Sequence, residues 1–355
     1  MNVTQGDVDS YVRQWRVGGE RIDIDFDLEA APFVTLCTDI GLDLSCAVPF
    51  FSLPCFTLPL SYWFRYAYCP ECLDSDVQVF GFPYWRKEWC YIDCSCCLLH
   101  KRLLSILNDE WHTDAHKPWR AFANVNHAFD TILDNSYRAA GRRHREPELL
   151  MREQYACRVQ RFLCVARRSK RIFLPRLGRD VNSSCVLQCS NILLCTFLSV
   201  RTDRQVGGIA RQLLTNTPDK IYHANLSKRS RMLIGAEEAI PYIRLSAVLL
   251  VGWIFGVLRD SEFNEMRDSA NEIFYWLPSS MRELGRAATS FDGIEEYLWY
   301  INLFRSLSLD LREVLMPFLM GVDERCEEDK KSVFAFHGSV LSLGSREGNR
   351  LRWFD

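Results

Sequence analysis

Two stretches decide how this chain is read: Tyr68-Cys69-Pro70-Glu71-Cys72 and Cys94-Ser95-Cys96-Cys97-Leu98-Leu99-His100. Zinc takes four tetrahedral ligands from thiolate and imidazole. A C-x-x-C or C-x-x-H spacing supplies two of them from one tight turn, because that separation lets both side chains point at a single ion. Cys69/Cys72 and Cys97/His100 then complete one shell, with 24 residues between the inner ligands to form a hairpin crossing. Cys94/Cys97 is an alternative second knuckle that leaves His100 outside, and Cys96 could enter by local slippage. A closed shell of four protein ligands has no open position for water, so the expected Zn(2+) site is structural and not catalytic.

The metal also accounts for how a short segment could fold. Residues 65–104 cannot bury enough apolar area alone, whereas zinc binding to such a module contributes roughly 10–16 kcal/mol of apparent free energy. Tyr84, Trp85 and Trp89 are expected to pack over the site as a small core.

At these residues the chain resembles the TniQ family, which includes the TnsD-like target selectors of transposons. The family pattern runs from a CPxCL knuckle through an aromatic-Trp-Arg segment and a Trp to a C-x-x-H knuckle eight positions later. Here it reads Cys69-Pro70-Glu71-Cys72-Leu73, Tyr84-Trp85-Arg86, Trp89, Cys97-Leu98-Leu99-His100 and Leu103-Leu104. The offset of eight from Trp89 to Cys97 favours Cys97/His100 over Cys94/Cys97. The resemblance covers about 40 residues. In this chain Leu98-Leu99 replaces the usual Pro-Lys between the ligands, Lys101 replaces the glycine that commonly follows the histidine, and Cys94 and Cys96 are extra. The resemblance implies a DNA-binding or adaptor protein that selects a transposition target site and recruits the machinery. The partners it implies are DNA or an RNA-guided effector complex, an AAA+ transposition ATPase and a second copy of the chain.

Charge divides the rest. Residues 1–60 carry nine acidic residues against Arg13, Arg16 and Arg21, whereas 137–236 carry 20 Lys and Arg against six acids. The formal net charge of −2 hides this. Arg142, Arg143, Arg145, Arg158, Arg161, Arg167, Arg168, Lys170 and Arg171 form one basic group, and Lys228, Arg229 and Arg231 a second. Such a surface releases counterions from phosphate, and arginine forks match phosphate bidentately. These twelve residues are the expected nucleic-acid contacts. Short helices at 209–214 and 227–234, separated by a turn at Thr217-Pro218, would suit a helix-turn-helix reader.

The expected fold is mainly α and multi-domain, with a small zinc-binding hairpin and knuckle module near the N-terminal third. Its parts are a divergent acidic segment (1–64), the zinc module (65–108), a basic helical region (109–236) and an acidic helical region (237–355). Ile22 to Asp27 alternates like a short strand. One long basic helix is expected over 149–172. Another starts near Asp292, capped by that residue with Glu295 behind it, and ends near Pro317.

Fifteen cysteines in a chain without a basic and apolar leader point to a reducing cytoplasm, where clustered thiols bind metal. Leu245 to Leu258 is too short to span a bilayer, and Ala47 to Phe64 is broken by Pro49, Pro54 and Pro59, so no membrane span is expected. His112 with His116, and Cys185 with Cys189, share helical spacing but read as polar surface and core packing. No phosphate-loop, dinucleotide, zincin or nucleophile-elbow motif is found, and the expected protein is not an enzyme.

Overall fold

The computed structural model describes residues 31–39, 41–45, 56–107, 117–127, 147–203, 205–213, 221–222, 226–272 and 277–334. The strand expected at Ile22–Asp27, the His112/His116 pair, the turn at Thr217-Pro218, Arg142, Arg143, Arg145 and part of the Ala47–Phe64 stretch lie outside these residues. The chain is mainly helical with small sheets.

Helix α1 (Ala31–Asp39) is followed by strand β1 (Ala67–Tyr68) and helix α2 (Pro70–Phe80). Proline opens α2, where a backbone N–H is not needed, and Gly81 closes it in the left-handed region at φ 80°. Strand β2 (Cys96–Cys97) turns back into β3 (Arg102–Leu103), with Cys96 opposite Leu103 and Cys97 opposite Arg102. Strand β4 (Ser105–Ile106) returns antiparallel to β1, and α3 (Lys117–His127) packs on α2. Tyr68, Leu73, Trp89, Leu104, Leu107 and Ala121 form the apolar core of this module.

The remainder starts with α4 (Pro147–Arg168), the hairpin β5 (Arg171–Leu174) and β6 (Arg179–Asn182), and α5 (Ser183–Leu198). Then come β7 (Arg201–Thr202), the single turn α6 (Ile209–Gln212), β8 (Ile221–Tyr222), α7 (Lys228–Glu237) and α8 (Pro241–Ile254). Helices α9 (Asp260–Glu272), α10 (Met281–Ala288), α11 (Ile294–Arg305) and α12 (Leu309–Phe334) complete it. Helices α5 and α8 are buried along nearly their whole length and pack on each other and on α4. The apolar Leu245–Leu258 run is therefore core. Among the described residues no helix is long and apolar enough to cross a membrane. Helices α10 and α12 approach backbone to backbone: a Cβ on Gly285 would sit 1.9 Å from the Phe318 carbonyl oxygen, and one on Gly321 1.8 Å from that of Arg282.

Several expected boundaries are corrected. The long basic helix ends at Arg168, and Arg171–Leu174 is a strand whose alternate residues Ile172 and Leu174 are buried. Asp292 does not cap α11: the cap position is Gly293, and the Glu296 carboxylate accepts the Asp292 N–H at 3.0 Å. That helix ends at Arg305, and Pro317 lies inside the separate helix α12. One core extends from Ile92 to Cys326 and draws on α4 and α5 as well as α8, α11 and α12.

Candidate metal centre

Cys69 occupies the N-cap of α2 and Cys72 its first turn. Both sulfurs lie at the end of the helix where unpaired backbone N–H groups favour negative charge. Cys97 ends β2, and His100 sits in the turn to β3. The turn is tight: the Lys101 N–H donates to the Cys97 carbonyl at 2.7 Å, the His100 N–H donates to Cys97 Sγ at 3.5 Å, and Lys101 takes φ 53°.

The two knuckles converge. His100 Nδ1 lies 3.3 Å from Cys69 Sγ, 3.4 Å from Cys72 Sγ and 3.6 Å from Cys97 Sγ, and Cys72 Sγ lies 3.5 Å from Cys97 Sγ. All four ligand atoms fall within 4.8 Å of one another. A tetrahedral ion with bonds of about 2.3 Å to sulfur and about 2.0–2.1 Å to nitrogen sets its ligands roughly 3.5–3.8 Å apart. The residues therefore fit a four-coordinate metal ion. The three cysteines are buried and His100 is exposed.

The thiols also titrate as a cluster. Hydrogen bonds with Cys69 and Cys72 pull Cys97 far below the ordinary thiol range, while contacts with Cys72 first and Cys97 second, together with burial, push Cys69 far above it. Three sulfurs this close hold one thiolate comfortably, and a cation is needed before all three ionise. Around them, Glu71 pairs with Arg102, and its carboxylate lies 3.3 Å from Cys69 Sγ. Arg86 pairs at 2.7 Å with the buried Asp76 of α2 and lies over Tyr84 and Trp89. Trp89 is buried, Trp85 is half-buried against it, and Tyr84 is exposed, so only part of the expected aromatic trio forms core.

Cys94 and Cys96 stand apart from the ligand set. Neighbouring strand residues face opposite sides, so Cys96 points into the main helical core while Cys97 faces the metal cluster. Gln160 of α4 fixes this register. Its Oε1 accepts from Ser95 N at 3.1 Å, Ser95 Oγ at 2.8 Å and Cys96 N at 2.9 Å, and its Nε2 donates to the Cys96 carbonyl at 2.9 Å. Glu153, one helical face along, accepts the Leu103 N–H at 2.8 Å. Neither residue was singled out from sequence, although a glutamine between Cys157 and Cys164 on the apolar side of α4 is the kind of lone buried amide that needs partners. Cys185 and Cys189 pack in or against the main core, as expected.

The basic residues divide. Arg161 is exposed within α4, Arg168, Lys170 and Arg171 are exposed around its end, and Arg229 is exposed on α7. Arg158 is also exposed but forks onto Glu262 at 3.0 and 2.6 Å. Arg167 is half-buried and pairs with the buried Asp93. Lys228 and Arg231 are 1% and 0% exposed. Lys228 Nζ reaches the Ser290 carbonyl at 3.4 Å, and Arg231 lies 3.4 Å from Glu296. Two cations of the expected recognition helix, Lys228 and Arg231, thus turn inward onto Ser290 and onto Glu296 of α11 and are not offered to phosphate in this fold, and Arg167 is held by Asp93. No family model, curated protein or solved structure matches this chain.

Proposed function

We propose that this chain is a zinc-stabilised adaptor of the TniQ kind, a non-catalytic protein that selects a transposition target site by binding nucleic acid or an RNA-guided effector and recruits an AAA+ ATPase. The observation that carries this reading is the convergence of Cys69, Cys72, Cys97 and His100, the residues the family pattern picks out, into one cluster whose ligand atoms lie within 4.8 Å of one another. Zinc is the metal this donor set favours, since three thiolates and an imidazole in a closed tetrahedron suit it better than hard cations. Bound there, it joins α2 to the β2–β3 turn and does no chemistry of its own. Arg161, Arg168, Lys170, Arg171 and Arg229 are the contacts offered to phosphate.

Two measurements test the reading. Purified protein carries one zinc per chain. Cys69→Ser and His100→Ala lose it, and Cys94→Ser retains it. Affinity for duplex DNA falls roughly a hundredfold between about 50 and 200 mM salt when four of these cations meet phosphates. A metal-free protein that folds normally overturns the zinc assignment, and an affinity flat with salt overturns the phosphate contacts.

A second reading is favoured by one observation: Arg167, Lys228 and Arg231 are spent internally, and Arg158, Arg176 and Arg179 pair with Glu262, Asp260, Asp310 and Glu313. A protein-only scaffold needs no more exposed cation than remains. The flat salt titration is its signature.

A further inference from the structure

We propose that Leu99 is an apolar wedge that enters a base step of duplex DNA, seated by phosphate contacts from Lys101 and Arg161; this rests on the nucleic-acid reading above. Leu99 is 68% exposed at the tip of the second knuckle. A lone exposed leucine is ordinary on a protein surface, so three further features carry the inference.

The first is rigidity. Leu99 stands between Cys97 and His100, both members of the metal cluster, in the turn closed by the Lys101 N–H to Cys97 carbonyl bond. A side chain held outward by such a turn keeps its position when it meets a partner. The second is division of labour within the turn. Leu98 packs against the main core, so the apolar demand of the knuckle is already met and Leu99 has no packing role left. The third is its surroundings. Lys101 is exposed two residues on, and the guanidinium of the exposed Arg161 donates to the Leu98 carbonyl at 3.4 Å, which ties α4 to the base of the tip. Of the carboxylates on the adjoining elements, Glu71 pairs with Arg102, and Glu153 is buried with one oxygen accepting the Leu103 N–H.

An apolar tip flanked by cations suits DNA better than a protein groove. Proteins that insert leucine or a similar side chain into a base step partly unstack it and bend the duplex, with cations holding the flanking backbone. A protein groove would take the leucine equally well but gains nothing from the two cations unless it is acidic.

The test uses full-length, zinc-loaded protein and a mixed-sequence duplex labelled with a fluorescent donor and acceptor at its two ends. Wild-type protein shortens the end-to-end distance on binding. Leu99→Ala, which touches no core, retains full zinc, binds about tenfold more weakly and no longer shortens the duplex, while the slope of affinity against salt is unchanged. Leu99→Met restores the bend. Lys101→Gln and Arg161→Gln each reduce the salt slope by about one. A Leu99→Ala protein that binds and bends like wild type overturns the wedge and leaves the phosphate surface standing. So does a wild-type protein that binds without bending. Absence of any binding at low salt overturns the surface reading itself.

Discussion

Gln160 is the residue whose removal tests most directly how the metal module is held. Gln160→Leu preserves size and helix propensity but deletes four strong hydrogen bonds, three into Oε1 and one from Nε2. The Ser95 and Cys96 N–H groups and the Cys96 carbonyl are left in a buried setting, where both residues are fully enclosed. Each unsatisfied group costs about 1–3 kcal/mol, and neighbours in one network do not add fully. The expected loss is therefore roughly 3–6 kcal/mol, a large share of the 5–15 kcal/mol typical of a folded domain. Since Cys97 follows Cys96 on β2, the defect also loosens one metal ligand. Urea unfolding followed by circular dichroism reads the first effect, and the rate of zinc release to a chromogenic chelator reads the second. A destabilisation below about 1 kcal/mol together with unchanged zinc release would refute the view that α4 sets the strand register.

Two charged sites give pH-dependent expectations. Burial opposes ionisation of Glu262, but hydrogen bonds from Arg158 and Arg259 override it and hold its carboxyl down at about 2. A depressed carboxyl contributes stability above its unfolded value that is lost as pH falls, so the clamp between α4 and α9 weakens from about pH 4.5 to about pH 2, and Glu262→Gln flattens that limb in acid denaturation, by roughly 1–2 kcal/mol because Arg158 is partly solvated. A variant with the wild-type acid limb counts against the clamp. Burial, helped by the adjacent Arg231, pulls the Lys228 ammonium down to about 7. The unfolded chain then binds more protons from about pH 7 to about pH 10.4, so this site's contribution to stability rises with pH across that window. Lys228→Met removes the rise and stabilises the protein at neutral pH by on the order of 2–4 kcal/mol. Denaturation midpoints at neutral and alkaline pH, each compared with wild type, check it, and a destabilised variant at pH 7 refutes it.

The metal cluster was legible because its signal is local: spacing alone lets each knuckle offer two ligands, and the eight-residue offset from Trp89 separates His100 from Cys94. Strand alternation supplies the rest of the physical reason, since Cys96 and Cys97 cannot face the same ion from one strand. Predominantly helical structure was legible from local apolar spacing, and burial of Leu245–Leu258 from a run too short to cross a bilayer. The boundary errors come from competition between local signals. Asp292 is a good cap by composition, but Glu296 already occupies the N-terminal end of α11 and also accepts the Lys228 N–H at 2.6 Å. Pro317 reads as a stop, yet α12 continues through it, packed along α10.

The basic surface was the least legible part because counting charge says nothing about where each side chain ends. The excess over 137–236 contains internal braces as well as surface cations, and only packing separates them. Helix α4 shows both fates on one element. Its inner side carries Glu153 and Gln160 onto β3 and Ser95–Cys96, and Arg167 onto Asp93, while Arg161 and Arg168 stay exposed on the outer side. The helix that positions the second knuckle is thus the helix that presents the cations. Metal occupancy and the geometry of the basic surface are mechanically joined through it, so, on the proposed reading, stripping the ion should also weaken binding to duplex DNA.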